Sequence, residues 1–300
     1  MSNKSQKKSY LLAMTTVMSW STIASAFHIS LRYIGYIQLL FLASVVSSIV
    51  LFAIILFQKK LPLFKELHFK DYLTSAFLGF LNPFLYYIVL LKAYTLLKAQ
   101  EAGTLNYIWP ITLVLLSIPF LKQKISGISI LAIVISFVGI IVISTGGNIL
   151  SLEFRSPLGV VLAAGSSVFW SLYWILNMRD KRDEVVKLFM NFVFGSLFVF
   201  LAVLYNNSWE PLSFYGIAGG LYLGLFEMGL VFFIWLKALQ YSENTAKVAN
   251  LIYFSPFISL LIINYVVGEA ILPSTFVGLS LIVSGIILQQ FAGKISFKKK

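Results

Sequence analysis

The chain has 300 residues, of which 59% are hydrophobic and only 11% are charged. Because a soluble domain carries roughly 25% charged residues, this composition excludes an ordinary soluble protein and predicts one that crosses a membrane several times. The lack of cysteine excludes disulfides and thiolate metal sites, and the net charge of +12 suits anionic lipid rather than nucleic acid, because the basic residues flank apolar segments.

A short basic arm at residues 1–9 precedes ten apolar segments, each close to the roughly 20 residues that a membrane-spanning helix needs. Ala24-Ser25-Ala26 imitates a signal-peptidase site, but we expect no cleavage because Trp20 recurs in the second half of the chain. The apolar runs are continuous and lack the alternation of barrel strands, so the predicted fold is all-α and membrane-integral. The predicted spans, numbered α1 to α10, are 10–31, 34–57, 70–94, 99–121, 127–146, 157–178, 186–206, 214–239, 245–267 and 273–292.

The basic residues are distributed unequally between the two sides of such a bundle. With ten spans both termini lie on the same side, which holds all but six of the 23 Lys and Arg residues. The positive-inside rule therefore predicts that both termini are cytoplasmic. Charges near the external helix ends, Glu101 among them, are expected to be solvated or to lie at the mouth of the pore. The six basic residues on the external side are Arg32, Lys92, Lys98, Arg155, Lys237 and Lys247.

The two halves of the chain share residues in the same order. Five spans per half is an odd number, so repeats covering 1–148 and 149–300 must have opposite orientations in the membrane. Inverted repeats with interrupted helices are typical of transporters, whose substrate site lies near the membrane midplane. The matched positions are Trp20 and Trp170, Leu91-Lys92-Ala93 and Leu236-Lys237-Ala238, Tyr107 and Tyr253, Pro110 and Pro256, and Gly139 and Gly285.

The first candidate binding site is the segment that ends at Pro110 in α4. A proline inside a helix removes one backbone hydrogen bond, so we expect a kink that frees the carbonyl of Asn106. The phenol of Tyr107 and the indole of Trp109 lie in the same turn. At membrane depth, such polar groups must be satisfied by neighbouring helices or face a cavity. On an ideal helix Tyr107 and Trp109 are about 200° apart, so both reach one cavity only if the helix unwinds or the cavity wraps around it. The alternative is that one of them lines the cavity and the other packs against a helix.

Two helices of the second half carry similar candidates. On α6, Trp170 and Tyr173 share an aromatic and polar face, which we interpret as lining a cavity; the alternative is ordinary packing with an interfacial tryptophan. On α9, Asn250 and Tyr253 share a face, and Pro256 frees a carbonyl by the argument given for α4. The alternative for α9 is a kinked packing helix.

Glu227 is the carboxylate that the sequence places deep in a span, near the middle of α8. An unpaired carboxylate in hydrocarbon is expensive, so we expect it to be protonated or to meet a partner. It would then carry a proton or balance a substrate ammonium. The alternative is a protonated acid bonded to a neighbouring helix, with Gly216, Gly220 and Gly224 on roughly its face for close packing. Asn82, in the matching region of α3, is a further candidate.

The ten spans in two repeats, the basic arm and the proline-interrupted helices resemble the drug/metabolite transporter superfamily of EamA type over essentially the whole chain. Gly139 and Gly285 lie where that family usually has a glycine in the last helix of each repeat. Glu269 matches the acidic residue that often precedes this helix, although the first repeat has Gln123 there. The segment from Asn106 to Pro110 is similar to the Asn-Tyr-Leu-Trp-Pro segment of bacterial aromatic-amino-acid exporters.

This resemblance implies a multi-pass protein of the bacterial inner membrane with a central cavity lined by α1, α3, α4, α6, α8 and α9. It implies alternating-access export of small metabolites, most of all amino acids including aromatic ones. The runner-up is a proton-coupled exporter of cationic drugs or other metabolites that uses Glu227. The predicted substrate-binding residues are Trp20, Asn82, Asn106, Tyr107, Trp109, Trp170, Tyr173, Glu227, Asn250 and Tyr253, with helix kinks at Pro110 and Pro256.

A membrane enzyme or lipid-handling protein is the alternative of a different class. The sequence contains no H-E-x-x-H or G-x-S-x-G motif and no paired deep carboxylates. We therefore expect no catalytic residue and no cofactor. His28 and His68 are too far apart to suggest a metal site. The expected partners are a small-molecule substrate and the lipid bilayer, and proton coupling, substrate identity and oligomeric state stay open.

Overall fold

The computed structural model describes residues 5–121, 127–148, 156–242, 248 and 250–297, and no strand occurs in these ranges. The prediction of ten membrane helices is confirmed. Eight apolar helical segments are long enough to cross a bilayer, and the shorter apolar helices Leu251–Val267 (α9) and Pro273–Gln289 (α10) complete the set. In order, α1 to α8 are Gln6–Ser30, Tyr36–Phe57, Phe69–Tyr94, Ala99–Phe120, Gly127–Ser144, Pro157–Arg179, Glu184–Tyr205 and Phe214–Tyr241.

The helices that carry candidate residues are interrupted. In α4 one helical piece ends at Asn106 and the next begins at Trp109, so Pro110 lies in the first turn of a new helix, where its missing N–H removes no bond. In α9 a 3₁₀ turn precedes Ser255–Ile262, and Pro256 is again near the start of the second piece. In α3 the backbone of Asn82 is extended, with φ −150° and ψ 121°.

The chain forms two compact units. Unit 1 comprises Met1–Ile88 and Asp180–Val267, and unit 2 comprises Val89–Arg179 and Gly268–Lys300. Each unit therefore draws helices from both sides of residue 149, and α3 passes from one unit into the other. The repeat division at 148 and 149 describes symmetry within the sequence and stays a prediction.

Within unit 1, close packing positions α3 and α8. A Cβ on Gly195 of α7 would overlap the ring of Pro83, because α3 and α7 approach each other at their glycines. On α8, Gly220 and Gly224 lie against Leu42 and Val46 of α2. The glycines of α8 thus serve close helix packing, which is the alternative that the sequence analysis gave for them.

Ion pairs fasten the segment that joins α6 to α7. Lys60, which follows α2, approaches Asp183 with its Nζ 2.6 Å from Oδ2. Arg182 binds Asp180 through Nε and Nη2, and its Nη1 donates to the carbonyl of Asp71 at 3.0 Å. Burial acts to raise the pKa of Asp180, but the hydrogen bonds and charge of Arg182 outweigh it and hold that pKa below its ordinary value. Burial likewise acts to raise the pKa of Asp183, but its backbone hydrogen bonds and the hydrogen bond and charge of Lys60 outweigh burial and hold that pKa below its ordinary value.

Two buried glutamines fasten other loops through neutral bonds. Gln38 of α2 donates from Nε2 to the carbonyl of Glu210 at 2.9 Å and accepts its N–H at 3.0 Å. Gln100 of α4, in unit 2, donates to the carbonyl of Ala270 at 2.9 Å and accepts the N–H of Leu272 at 3.0 Å. In each glutamine side chain, both the NH₂ group and the carbonyl oxygen therefore have a hydrogen-bond partner.

The start of α4 contains one correction. Glu101, expected to be solvated, is only 5% exposed. Its carboxylate accepts the N–H of Lys98 at 3.2 Å, and Glu269 accepts the N–H of Ala99 at 3.1 Å. Carboxylates at a helix N-terminus bind backbone N–H groups that have no partner inside the helix, so α4 begins here with acidic caps.

Candidate functional site

The predicted site residues separate into two sets, one in each compact unit. Neither set comes from a single predicted repeat. Unit 1 contains Trp20, Asn82, Glu227, Asn250 and Tyr253, together with Pro256. Unit 2 contains Asn106, Tyr107, Trp109, Trp170 and Tyr173, together with Pro110.

Glu227 lies on a π-helical turn, Gly224–Gly229, within α8. Single π turns inside α-helices are frequently found at functional sites. Its Oε1 accepts a hydrogen bond from the hydroxyl of Tyr87 at 2.9 Å. Glu227 keeps part of its surface accessible, whereas Tyr87 is 0% exposed. The carboxylate therefore has a fully buried donor at one oxygen, on a residue that is not itself fully enclosed.

Side chains from α1 and α2 hold the backbone of this π turn. Ser19 donates to the carbonyl of Phe226 at 3.1 Å, and Ser47 donates to that of Gly224 at 2.9 Å. The indole N–H of Trp20 reaches the carbonyl of Glu227 at 3.4 Å. Carbonyls released by the widened turn thus gain partners, as hydrocarbon requires. Trp20 is brought directly beside Glu227 by this contact.

Trp20 also belongs to an aromatic cluster in unit 1. Its ring centroid is 5.9 Å from that of Phe232 and 5.7 Å from that of Trp235. The side chain of Trp20 is partly exposed. Trp20 therefore contacts the backbone of an acidic residue and keeps accessible aromatic surface, and such a face can bind an organic ammonium by cation–π attraction.

Asn82 is completely buried at the interruption of α3. Within the part of the chain that the structure describes, neither its Oδ1 nor its Nδ2 has a hydrogen-bond partner. Buried amides are nearly always paired, so this one calls for a water or a ligand. Tyr253 is partly exposed on α9, and the side chain of Asn250 lies outside the described residues.

In unit 2, hydrogen bonds join the interrupted α4 to α6. The Nδ2 of Asn106 donates to Ser166 Oγ at 2.9 Å, and Ser171 Oγ donates to the carbonyl of Trp109 at 3.0 Å. Tyr107 lies in the turn between the two pieces of α4 and is not in the helix that begins at Trp109. The angle of about 200° for an ideal helix therefore does not apply to this pair.

The rings of α6 pack against one another. The centroid of Trp170 is 5.7 Å from that of Trp174 and 6.4 Å from that of Tyr173. Tyr173 is 0% exposed, whereas Trp170 and Trp109 keep accessible surface. In this structure Trp170 and Trp109 can contact a ligand directly, and Tyr173 supports the cluster from within.

Tyr87 is the site residue that sequence reasoning missed. The available signal was weak: a tyrosine inside a span needs a partner for its hydroxyl, but nothing in the sequence says which. Its partner lies 140 positions away.

Among the described residues, no three or more His, Cys, Asp or Glu side chains lie together as a metal site would require.

Comparison with protein families places the chain. The model described as the EamA-like transporter family matches it twice, over residues 7–145 and 157–289. Together these matches cover most of the chain, including all of the predicted site residues.

Curated relatives carry the same kind of name. An "Uncharacterized transporter" of Clostridium kluyveri is 25% identical over 96% of this chain and 94% of its own length. One from Archaeoglobus fulgidus is 24% identical over 94% of this chain and 98% of its own length, and "Uncharacterized transporter YvbV" of Bacillus subtilis is 25% identical over 76% and 75%. A solved crystal structure superposes with a TM-score of 0.66 and 21% identity, covering 97% of this chain and 99% of that one, and supports the fold.

Proposed function

The chain belongs to the EamA-like transporter family, and from this premise we propose that it exports small zwitterions, amino acids with apolar or aromatic side chains foremost, by alternating access. The family makes it a multi-pass membrane transporter and points away from an enzyme. The observation that carries the proposed substrate class is Glu227, a partly accessible acidic residue inside α8 whose backbone carbonyl accepts the indole N–H of Trp20.

Unit 1 offers chemistry for both charged groups of such a molecule, and unit 2, taken by itself, offers aromatic surface. Glu227 balances an ammonium group, and its neighbour Trp20 adds cation–π attraction. The unpaired amide of Asn82 can donate to a substrate carboxylate. Trp109 and Trp170 offer indole faces for an aromatic side chain. In the described spans Lys and Arg occur only near the ends, so tight binding of a phosphate group is not supported.

Counterflow in proteoliposomes tests this proposal. We expect the purified protein to exchange L-tryptophan, L-phenylalanine and L-leucine and to ignore a sugar phosphate. A nucleoside and a quaternary ammonium compound complete the panel. Exchange of the sugar phosphate without exchange of any amino acid would show that the assigned substrate class is wrong.

A second candidate is proton-coupled export of cationic compounds. The observation that favours it is the same acidic residue, because within the described residues Tyr87 is the one hydrogen-bond donor to the Glu227 carboxylate, and the residue keeps accessible surface. A proton and an organic cation would then compete for Glu227. Transport of the quaternary ammonium compound driven by an imposed pH gradient, and lost in Glu227→Gln, distinguishes this candidate.

Replacing Trp109 or Trp170 by alanine is expected to reduce exchange of aromatic amino acids about tenfold, because stacking and area burial by an indole are lost. Exchange of L-leucine should fall less. Trp209→Ala is the matched control, since Trp209 is 56% exposed between α7 and α8. Wild-type exchange of L-tryptophan by both variants would remove these two residues from the site.

The orientation of the termini is tested by reporter fusions. The distribution of basic residues leads us to expect a fusion after Asn148 to be external and one after Lys300 to be cytoplasmic. A periplasm-active and a cytoplasm-active reporter at each position provide the two readouts. A terminal fusion that is active only outside the cell would contradict both the orientation and the even number of spans.

A further inference from the structure

The hydrogen bond between Tyr87 and Glu227 is built into the core of unit 1. The Tyr87 ring is packed edge-on against Phe27, with centroids 6.4 Å apart, and against Tyr86 at 4.6 Å. Tyr87 is 0% exposed and follows the interruption of α3 directly. Its hydroxyl therefore cannot swing into solvent, and its position relative to α8 is fixed by packing.

A phenol at this position favours one protonation state of its partner. The tyrosine hydroxyl stays protonated throughout the physiological pH range, so it is a permanent donor. A hydrogen bond to an ionised carboxylate is about twice as strong as one between neutral groups. Tyr87 thus stabilises Glu227 as an anion, and the ion pairs found among the described residues do not include Glu227.

The other titratable groups near Glu227 are few. The phenols of Tyr86 on α3 and Tyr222 on α8 itself are the remaining titratable side chains in the middle of the helices that pack against this turn. Tyr222 is engaged with Thr22 of α1 at 2.6 Å. The α2 helix, Tyr36–Phe57, contains no charged residue. The described charged residues of α1, α3 and α8 lie near their ends: Lys7, Lys8, Lys70, Asp71, Lys92 and Lys237.

We propose that Tyr87 is the resident donor to the Glu227 carboxylate and that their hydrogen bond weakens when a cation binds Glu227, the cation being either a proton or the ammonium group of a substrate. Tyr87 is then a positioning residue, because it acts on substrate through Glu227. When a proton binds Glu227, the carboxyl becomes neutral and the charge assistance to the phenol is lost. When an ammonium binds, the carboxylate is shared and the bond lengthens. The part of this proposal that concerns a substrate ammonium, here called the ammonium half, rests on the proposed function. The part that concerns a proton, the proton half, does not.

Infrared titration of the purified full-length protein in detergent tests the proton half without any substrate. The band of the protonated Glu227 carboxyl is identified by its loss in Glu227→Gln. In Tyr87→Phe the ring is kept and the donor removed, so the anion loses its support. We expect the pH midpoint of this band to rise by about one unit or more. Tyr86→Phe removes a neighbouring hydroxyl and should leave the midpoint unchanged.

Three outcomes would overturn the proposal: an unchanged midpoint in Tyr87→Phe, a lower one, or an equal shift in Tyr86→Phe. A second measurement needs only the wild type and Glu227→Gln, so it tests the proposal even if the Tyr87→Phe protein does not fold. Acidification should change the tyrosine C–O–H bands in step with the carboxyl band, and Glu227→Gln should remove that change. Tyrosine bands that do not respond to protonation of Glu227 would also refute it.

The ammonium half is tested by adding L-tryptophan to the wild type at a pH where the carboxyl band is absent. The same tyrosine bands should respond, and the response should vanish in Glu227→Gln. A response to pH together with none to L-tryptophan, when L-tryptophan is exchanged in proteoliposomes, overturns the ammonium half. If no amino acid of the panel is exchanged, the proposed function fails while the pH titration still decides the role of Tyr87.

Discussion

Exchange of amino acids is expected to fall about 30-fold or more when Glu227 is replaced by glutamine. Glutamine keeps the size of the side chain and still accepts a hydrogen bond from Tyr87, so the change removes little besides the charge. Losing one member of a desolvated charge pair typically costs about 2–5 kcal/mol, and each 1.4 kcal/mol is a factor of ten. Initial counterflow rates, normalised to the amount of protein inserted, measure the loss.

The matched control is Glu66→Gln. Glu66 is exposed at the end of the short helix Leu61–Glu66, so the same chemical change there should leave exchange within about twofold. A Glu227→Gln protein with the wild-type rate and pH profile would refute both carboxylate roles, as counter-ion and as proton carrier.

Adding one methyl group at Gly195 is expected to destabilise the protein by about 1–3 kcal/mol, the usual cost of overpacking a tight interface. The Cβ of Gly195→Ala would overlap the ring of Pro83, and the backbone of α3 cannot retreat as a flexible side chain could. Because Asn82 and Tyr87 flank this contact in sequence, binding should weaken together with stability. Thermal unfolding in detergent measures the first effect.

Gly165→Ala is the control for this change. Gly165 lies inside α6, where an added Cβ would meet no atom within 4 Å. Alanine is a better helix former than glycine, so this variant should be as stable as the wild type or more stable. Equal stability of the two alanine variants would contradict the close contact between α3 and α7.

The ten spans could be predicted from the sequence because bilayer thickness fixes the length of an apolar run. Outside α9, whose predicted start falls on residues that the structure does not describe, the ends differ by at most four residues, as at Tyr36, where α2 begins two positions after its predicted start. The breaks in α4 and α9 were foreseeable in position because proline has no N–H. The form of each break was not foreseeable, because a proline that kinks one helix and a proline that begins a new helix give the same sequence pattern.

The candidate site was less accessible to sequence reasoning. The α-helical period put Glu227 on roughly the glycine face of α8, but the π turn alters the register. The glycines contact α2, whereas the Glu227 carboxylate meets Tyr87 of α3. Likewise, the sequence predicts that Asn106 binds substrate, and its amide donates to Ser166 in this structure. Partner choice depends on which helices pack together, which periodicity within one helix does not encode.

The two ends of α2 are fastened by bonds that respond differently to the medium. At its start, the amide of Gln38 pairs with the backbone of Glu210, and no ionisable group is needed for those two bonds. Beyond its end, Lys60 holds Asp183 through charge, with both side chains about one quarter exposed. Salt screens such a pair and strong acid removes the carboxylate charge, while the amide pair is indifferent to both. The two amide bonds at the start of α2 therefore persist when salt or acid is added, whereas the ion pair beyond its end weakens under the same conditions.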